Sequence, residues 1–349
     1  MTRFRVAVVA SCAAGLLGAS LPAAAQLEEV TVTAERRESS LQRVPVAITA
    51  YTAEDLERFQ IDSVTDIDVF APSLRVVNNV ASSNALNINL RGSTEAGGAF
   101  LFSEPGVGLY QNNVYRRMAA GNLQLADIER IEILRGPQGT LFGRNTLAGA
   151  INIVTKRPDP RDALSGGVTL GLGNFDTYSA RASIYAPLSD TVAVSLAGYV
   201  RDQGEGYFDD VVSGRDVTKS DFQGVTAALR VRPNDAMVID ASVYATKNDS
   251  DGQSGQPIVL TTAANALSRD DQFARGGAGR SLEAFSESDT LGGDLVIEYE
   301  FGDISLKSLT AYSEIDDAWA VDFTAGQLEA VGSQGGGSFR HGNHTVPVG

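Results

Sequence analysis

The stretch "IERIEILRGPQGTLFGRNTLAGAINIVTKRP", Ile128 to Pro158, decides how the chain is read. Its first part, Ile128 to Gly136, and its last, Gly149 to Lys156, are isoleucine-rich runs of strand length. Between them Gly136, Pro137, Gly139 and Gly143 mark a tight connection. Glycine-rich loops can cradle phosphate, so that reading comes first. A phosphate loop needs G-x-x-x-x-G-K-[ST] leading into a helix whose amides face the anion. Here three residues separate Gly139 from Gly143, Arg144 and Asn145 replace the Lys and Ser/Thr, and strand-like sequence follows. Gly136, Gly139 and Gly143 also miss the G-x-G-x-x-G spacing of dinucleotide folds. The loop reads as a sharp structural turn between two strands.

Outward from that hairpin, residues 44–160 read as one compact α+β domain. "VPVAITAYT" (Val44 to Thr52) has strand character, and Thr52 with Asp55 makes a capping box that opens a short helix. Ser63 and Asp66 repeat the signature for a second helix, which Pro72 stops. Strands are expected at Leu86 to Gly92 and at Gly106 to Tyr115. Before this domain, residues 26–43 read as a flexible arm with one strand-competent patch, "EEVTVTAERR", where Val30 and Val32 alternate with threonines. The start reads as a processed export signal over residues 1–25. Arg3 and Arg5 precede an apolar run from Val6 to Leu21, and Ala23 to Ala25 supply small residues for cleavage. The chain's one cysteine, Cys12, lies inside that signal, leaving the exported chain no thiol for a disulfide, a metal or a nucleophile.

After Pro160 the texture changes. In "TYSARASIYA", Tyr178, Ala180, Ala182 and Ile184 share one face, with Ser179, Arg181 and Ser183 on the other. The same period-2 alternation recurs around Val192 to Arg201, Val225 to Arg232, Ile239 to Val243 and Asp294 to Glu298. Small apolar residues on one face and charges on the other suit a transmembrane β-barrel, and a soluble β-sandwich shares the alternation. Loop lengths favour the barrel. Tight turns at Pro187 to Asp190, Arg232 to Asp235 and Phe301 to Asp303 alternate with long connections at 202–221 and 246–290. The charge is uneven too. Residues 1–160 hold 15 basic and 16 acidic side chains, and residues 161–349 hold 13 and 27, so the second part bears nearly all of the net −15. Such a chain repels nucleic acid.

Catalytic chemistry finds no support. His341 and His344 are the only histidines and lie in a tail that reads as a loose loop, so no Ser/His/Asp set assembles and two ligands make a poor metal site. "NDSDGQSG" (Asn248 to Gly255) has part of a calcium-loop pattern without the closing glutamate, and reads as a solvated acidic loop. No catalytic residue, metal or cofactor is expected.

The segment Ile128 to Pro158, together with "INLRG" (Ile88 to Gly92) and "GVGLYQNNVY" (Gly106 to Tyr115), resembles the plug domain of the TonB-dependent receptors of Gram-negative outer membranes. The family's usual Asp-Gly turn is replaced by Asn112-Asn113, which also tolerates positive φ. "EEVTVTA" is similar to a TonB box, made of Glu28, Glu29, Val30, Thr31, Val32, Thr33 and Ala34. The resemblance implies an α+β plug followed by an antiparallel transmembrane β-barrel of about 22 strands that houses it. It implies an active importer in the cell outer membrane. Cargo such as a ferric siderophore binds outside, and TonB, energised from the inner membrane, pulls on the box. It also implies that Arg91 and Arg135, at the two "RG" positions, latch the plug to barrel glutamates.

About seven strand candidates precede Gly349, with one more around Trp319 to Phe323, too few to enclose a plug. The chain is therefore expected to be the N-terminal part of a receptor, with residues 161–349 the first part of its barrel. A binding or adhesion protein without transport, a non-functional truncated receptor and a soluble periplasmic β-protein stand as alternatives.

Overall fold

The computed structural model describes residues 31–32, 39–40, 42, 44, 46–79, 82–93, 104–118, 127–209, 216–251, 284–321 and 337–348, with backbone alone for 31, 39, 208–209, 321 and 337–348. The export signal and Glu28, Glu29, Val30, Thr33 and Ala34 lie outside the described residues.

The arm contributes β1 (Thr31–Val32) and β2 (Ser39–Ser40), paired antiparallel, and Val32 is fully buried, so this patch is held rather than free. The N-terminal domain follows with β3 (Ala47–Thr52), β4 (Leu74–Asn78), β5 (Leu86–Leu90), β6 (Val107–Gln111), β7 (Val114–Arg116), β8 (Ile128–Arg135) and β9 (Gly149–Thr155). Five of these form one sheet in the order β3-β8-β9-β6-β7, while β4 and β5 pair separately. β8 and β9 are antiparallel, with Ile131 opposite Ile153 and Ile133 opposite Ile151, and β9 runs parallel to β6. Both faces of this sheet are covered. Ile131, Ile133, Ile151 and Ile153 pack with Val107, Leu109, Leu86, Leu90 and Ile67 on one side, and Leu134 and Ala150 with Tyr110 and Phe142 on the other. That explains why these strands read as apolar runs with little alternation.

The expected helix at Ala53–Arg58 is present with its capping box, Asp55 N–H donating to Thr52 Oγ1 at 3.3 Å and Thr52 N–H to Asp55 Oδ2 at 3.2 Å. The second expected helix is a 3-10 turn, Val64–Val69, opened by Ser63 N–H donating to Asp66 Oδ2 at 2.8 Å. β4 was not expected: it begins right after Pro72 and Ser73 (φ 65°), and a five-residue run there has too few residues to show a period. Asn112 and Asn113 do form a tight turn with positive φ (52° and 66°). The Asn112 side chain locks onto β9, accepting from Thr155 N–H at 3.0 Å and donating to Thr155 Oγ1 at 2.9 Å. In the stretch quoted first, Gly136 (φ 97°) and Gly143 (φ 84°) supply the left-handed corners. A helical turn, Gly139–Phe142, sits between them, with Tyr110 Oη donating to Phe142 O at 2.7 Å.

The second part contains β10 (Ser165–Gly173), β11 (Thr177–Ser189), β12 (Val192–Gln203), the small pair β13 (Phe208–Asp209) and β14 (Asp216–Val217), β15 (Ser220–Asn234), β16 (Met237–Ser250), β17 (Phe285–Phe301), β18 (Ile304–Val321) and β19 (Gly337–Val348). Apart from β13 and β14, these eight strands form one antiparallel sheet in sequence order, and its outer strands β10 and β19 are not paired with each other among the described residues.

The faces of this wall are sorted against water. Leu196, Ala227 and Val243 lie opposite one another in register on one face, with Leu196 52% and Val243 61% exposed. On the other face Ser195, Asp240, Ser242 and Asp294 are buried. A soluble sandwich buries its apolar face; a membrane wall turns it outward to lipid. The short turns at 190–191, 235–236 and 302–303 fall on one edge, and the turn 174–176 with the strand ends Gln203, Ser220, Ser250, Phe285 and Val321 on the other.

Three expectations shift. β16 and β17 reach further than expected, so Asn248 to Ser250 belong to a strand and not to an acidic loop. Of the strand suspected at Trp319 to Phe323, Trp319 to Val321 are the end of β18 and Asp322 and Phe323 lie outside the described residues, and the eighth strand is β19. The histidine tail is therefore strand rather than loose loop, with His341 in register opposite Asp317 and His344 opposite Ile315.

Candidate functional site

The inward face of β16 is a rail along which the N-terminal domain meets the wall. Period-2 geometry places Asp240, Ser242, Tyr244, Thr246, Asn248 and Ser250 on it, from the short-turn edge to the long-connection edge.

At the short-turn end, Arg230 forks Asp240 with Nε–Oδ1 at 2.7 Å and Nη2–Oδ2 at 2.9 Å. Arg230 also reaches Asp159, in the segment between β9 and β10, at 3.3 Å, and Arg232 Nη2 reaches the same oxygen at 2.8 Å. Burial pushes the Asp159 carboxyl up, but the Arg161 backbone N–H and the Arg232 and Arg230 guanidiniums outweigh it and hold it below the usual carboxylate range. One step up, Ser242 donates to Asp294, whose other oxygen accepts from Arg157 Nη2 at 2.7 Å. The next step is Tyr244: Arg116 Nη1 donates to its hydroxyl, and the guanidinium lies 4.6 Å from the ring centre. A Cβ on Gly292, opposite Tyr244, would collide with that ring, so glycine is what lets the tyrosine lie there.

At the long-connection end the chemistry becomes neutral. Asn84 Nδ2 donates to Asn248 O at 3.3 Å, Ser83 and Ser250 share a hydroxyl hydrogen bond, and Ser82 and Ser286 share another at 2.8 Å. Two further contacts lie on β11. Arg181 pairs with Asp62 at 2.9 Å, and Tyr185 donates to Asp127 while Lys156 lies 4.2 Å from the Tyr185 ring centre. Burial pushes the Asp127 carboxyl up to about 6, against the pull of Lys156.

Arg91 and Arg135, the arginines of the two RG positions, stand at corners whose following loops approach each other. Arg91 (φ 53°) turns the chain after β5, with its N–H donating to Ser73 O at 2.9 Å. Its Nη1 lies 3.8 Å from where a Gly136 Cβ would stand. Arg135 Nη1 donates to Thr49 Oγ1 at 2.7 Å, while its Nε and Nη2 are buried without a hydrogen-bond partner. Among the described residues neither arginine has a carboxylate partner. Of the box, Thr31 and Val32 are described, in β1.

Sequence reasoning missed Arg116, Arg157, Asp159, Tyr244 and Asp294 as a group. A usable signal was present, because Asp240, Ser242 and Asp294 fall on the polar face of their strands, and charges on an enclosed face need partners.

Residues 40–150 match the family model described as TonB-dependent Receptor Plug Domain. The chain is 32% identical over 236 residues to the pesticin receptor of Yersinia enterocolitica, covering 62% of this chain and 33% of that one. It is 24% identical over 293 residues to the ferric-pyoverdine 358 receptor of Pseudomonas putida, covering 82% and 33%. The chain thus spans about one third of the length of these curated relatives. Among solved structures, the ferric yersiniabactin uptake receptor of Yersinia pestis superposes with a TM-score of 0.67 at 21% identity, over 79% of this chain and 42% of that one. The ferripyoverdine receptor of the outer membrane of Pseudomonas aeruginosa does so at 0.66 and 17%, over 85% and 38%.

Proposed function

We propose, from the match of residues 40–150 to the TonB-dependent receptor plug model, that the chain works as the front part of an outer-membrane importer for a ferric siderophore. One observation carries this reading: the plug lies against the buried polar face of a strand wall whose apolar face is turned outward. The plug therefore stands where a ligand must pass, and the wall stands where lipid must be.

Cargo arrives from the side of the long connections. TonB engages the chain at Glu28 to Ala34. Pairing an extended strand to Thr31–Val32 uses main-chain hydrogen bonds, so a plain β-branched patch suffices. The proton-motive force supplies the pull. Arg91 and Arg135, adjoining and without carboxylate partners among the described residues, are the plug side of a latch to wall glutamates. The chemistry is binding and transport, and the receptors it resembles are not enzymes by name.

Deleting residues 28–34 tests the reading. Cells carrying the deletion are expected to bind ferric siderophore at the surface and to lose its uptake. Uptake that survives the deletion contradicts TonB coupling. Surface binding with no uptake even in the wild type points instead to a binding or adhesion protein.

A further inference from the structure

The outward face of the wall carries a hollow of about 710 Å³, spanning β12, β15, β16, β17 and β18 toward the long-connection edge. Two rows of the sheet build it. In register, Val225, Ala245, Leu291 and Glu314 form the lower row. Gln223, Lys247, Asp289 and Asp316 form the upper one. Period-2 geometry puts both rows on the face of Leu196, Ala227 and Val243. Val225 and Leu291 are 47% and 56% exposed there.

The two rows straddle the boundary between apolar and charged surface. On β17 the outward residues from Leu291 to Phe301 are apolar side chains and Gly293, whereas Asp289 and Glu287 above them are acidic. The hollow thus has an aliphatic floor and a charged upper rim, which suits an amphiphile. Charge is sorted sideways as well. Gln223 and Lys247 supply N–H donors on β15 and β16, with Lys247 Nζ 3.2 Å from Asp249. Asp289, Glu314 and Asp316 supply carboxylates on β17 and β18. Glu314 stands in the row of Leu291, one step inside the apolar band, and accepts from Tyr312 Oη at 3.1 Å. A carboxylate at that depth is unfavourable against hydrocarbon unless a cation meets it. Arg340 of β19 stands in register opposite Ala318, two residues from Asp316. Even with its charge counted, Asp249, Asp289, Glu314 and Asp316 outnumber Lys247 and Arg340 by four to two. An anionic headgroup is therefore disfavoured. A zwitterion with its phosphate beside Lys247 and its ammonium beside the carboxylates matches both sides of the rim.

We propose that this hollow binds a phospholipid with a primary ammonium headgroup, of the phosphatidylethanolamine type, its acyl chain lying on Val225, Ala245 and Leu291. The proposal rests on the reading that this face of the wall meets lipid. A primary ammonium offers three N–H donors to the carboxylates, whereas a choline headgroup offers none.

The intact protein is reconstituted in phosphatidylcholine bilayers with a reporter tryptophan, Val243→Trp, at the next outward position below Ala245. Trp319, the chain's only native tryptophan, is removed as Trp319→Phe. Quenching by lipids brominated in the acyl chain then reads which headgroup occupies the hollow. Brominated phosphatidylethanolamine is expected to bind there about threefold or more tightly than brominated phosphatidylcholine, and phosphatidylglycerol no more tightly than phosphatidylcholine. The double variant Asp289→Asn with Glu314→Gln should abolish that preference. A Leu229→Trp reporter, lower on the same face, should show none. Equal quenching by the three lipids at Val243→Trp, a preference shared by Leu229→Trp, or one that survives the double variant overturns the proposal and leaves the lipid-facing wall intact. A preference for phosphatidylglycerol that magnesium raises and a chelator removes also overturns it, in favour of a divalent ion shared with an anionic headgroup. No quenching by any brominated lipid at either reporter contradicts the lipid-facing reading itself, and the proposal with it.

Discussion

At the short-turn end of the seam, Asp159, Arg230, Arg232 and Asp240 form a charged mesh, with Arg157 and Asp294 one step above it. At the long-connection end, Ser82, Ser83 and Asn84 meet Ser286, Ser250 and Asn248 through neutral hydrogen bonds. Both ends use the same strands and bury comparable polar groups. They differ in what one broken partner costs. Removing one member of a buried ion pair strands the other charge and costs about 3–5 kcal/mol. Losing one neutral hydrogen bond costs about 0.5–1.5 kcal/mol net. The N-terminal domain is thus fastened firmly at the short-turn end and lightly at the long-connection end.

The largest expected effect lies at Arg157 and Asp294, whose side chains are 12% and 5% exposed. Asp294→Ala is expected to lower stability by about 3–5 kcal/mol in urea unfolding. The double change Asp294→Leu with Arg157→Met should return it to within about 1–2 kcal/mol of wild type, because no lone charge remains. A single variant that unfolds at the wild-type urea midpoint would show that the firm end is not firm.

Two acids of the seam should respond to pH in opposite senses. Asp127 has its carboxyl raised from 3.8 to about 6. The folded state therefore binds a proton more tightly than the unfolded one. The resulting stabilisation is complete below about pH 4 and is lost as pH rises through 6, amounting to at most about 3 kcal/mol for a two-unit shift. Asp127→Asn should flatten the stability profile across that window. Asp159 is shifted downward, so its contribution is present above the ordinary carboxylate range and is lost as pH falls through its depressed value. Asp159→Asn should remove that acid sensitivity at a cost of about 1 kcal/mol near neutrality, discounted for partial exposure. Profiles measured by thermal melting between pH 3 and 8 separate the two.

The smallest effect belongs to the light end. Ser286→Ala removes the bond to Ser82 and should cost no more than about 1 kcal/mol. A loss as large as that of Asp294→Ala would erase the contrast between the two ends.

The fold was legible wherever the period was long enough to count. Strands of 12 to 18 residues announce their faces, and Asn112-Asn113 and the Thr52–Asp55 box announce their turns. What escaped was short or non-local. β4 has five residues, and the helical turn Gly139–Phe142 has four. The seam joins residues such as Arg116 and Tyr244, which lie 128 apart in sequence. Alternation told which face Asp240, Ser242 and Asp294 occupy, but which plug residue each would meet is set by docking, which no local pattern encodes. Arg91 and Arg135 were singled out by resemblance, and the structure brings their corners together. The carboxylates proposed for them are a separate question.

The central claim is that one face of β16 meets the plug and the other meets lipid. Cys12 is the chain's only cysteine and falls in the expected export signal, so single cysteines at positions 241 to 246 can be spin-labelled in membranes and their collision rates with oxygen measured. The account predicts a period of two, with high oxygen accessibility at Ala241, Val243 and Ala245 and low accessibility at Ser242, Tyr244 and Thr246. A flat profile, or maxima at 242, 244 and 246, would contradict it.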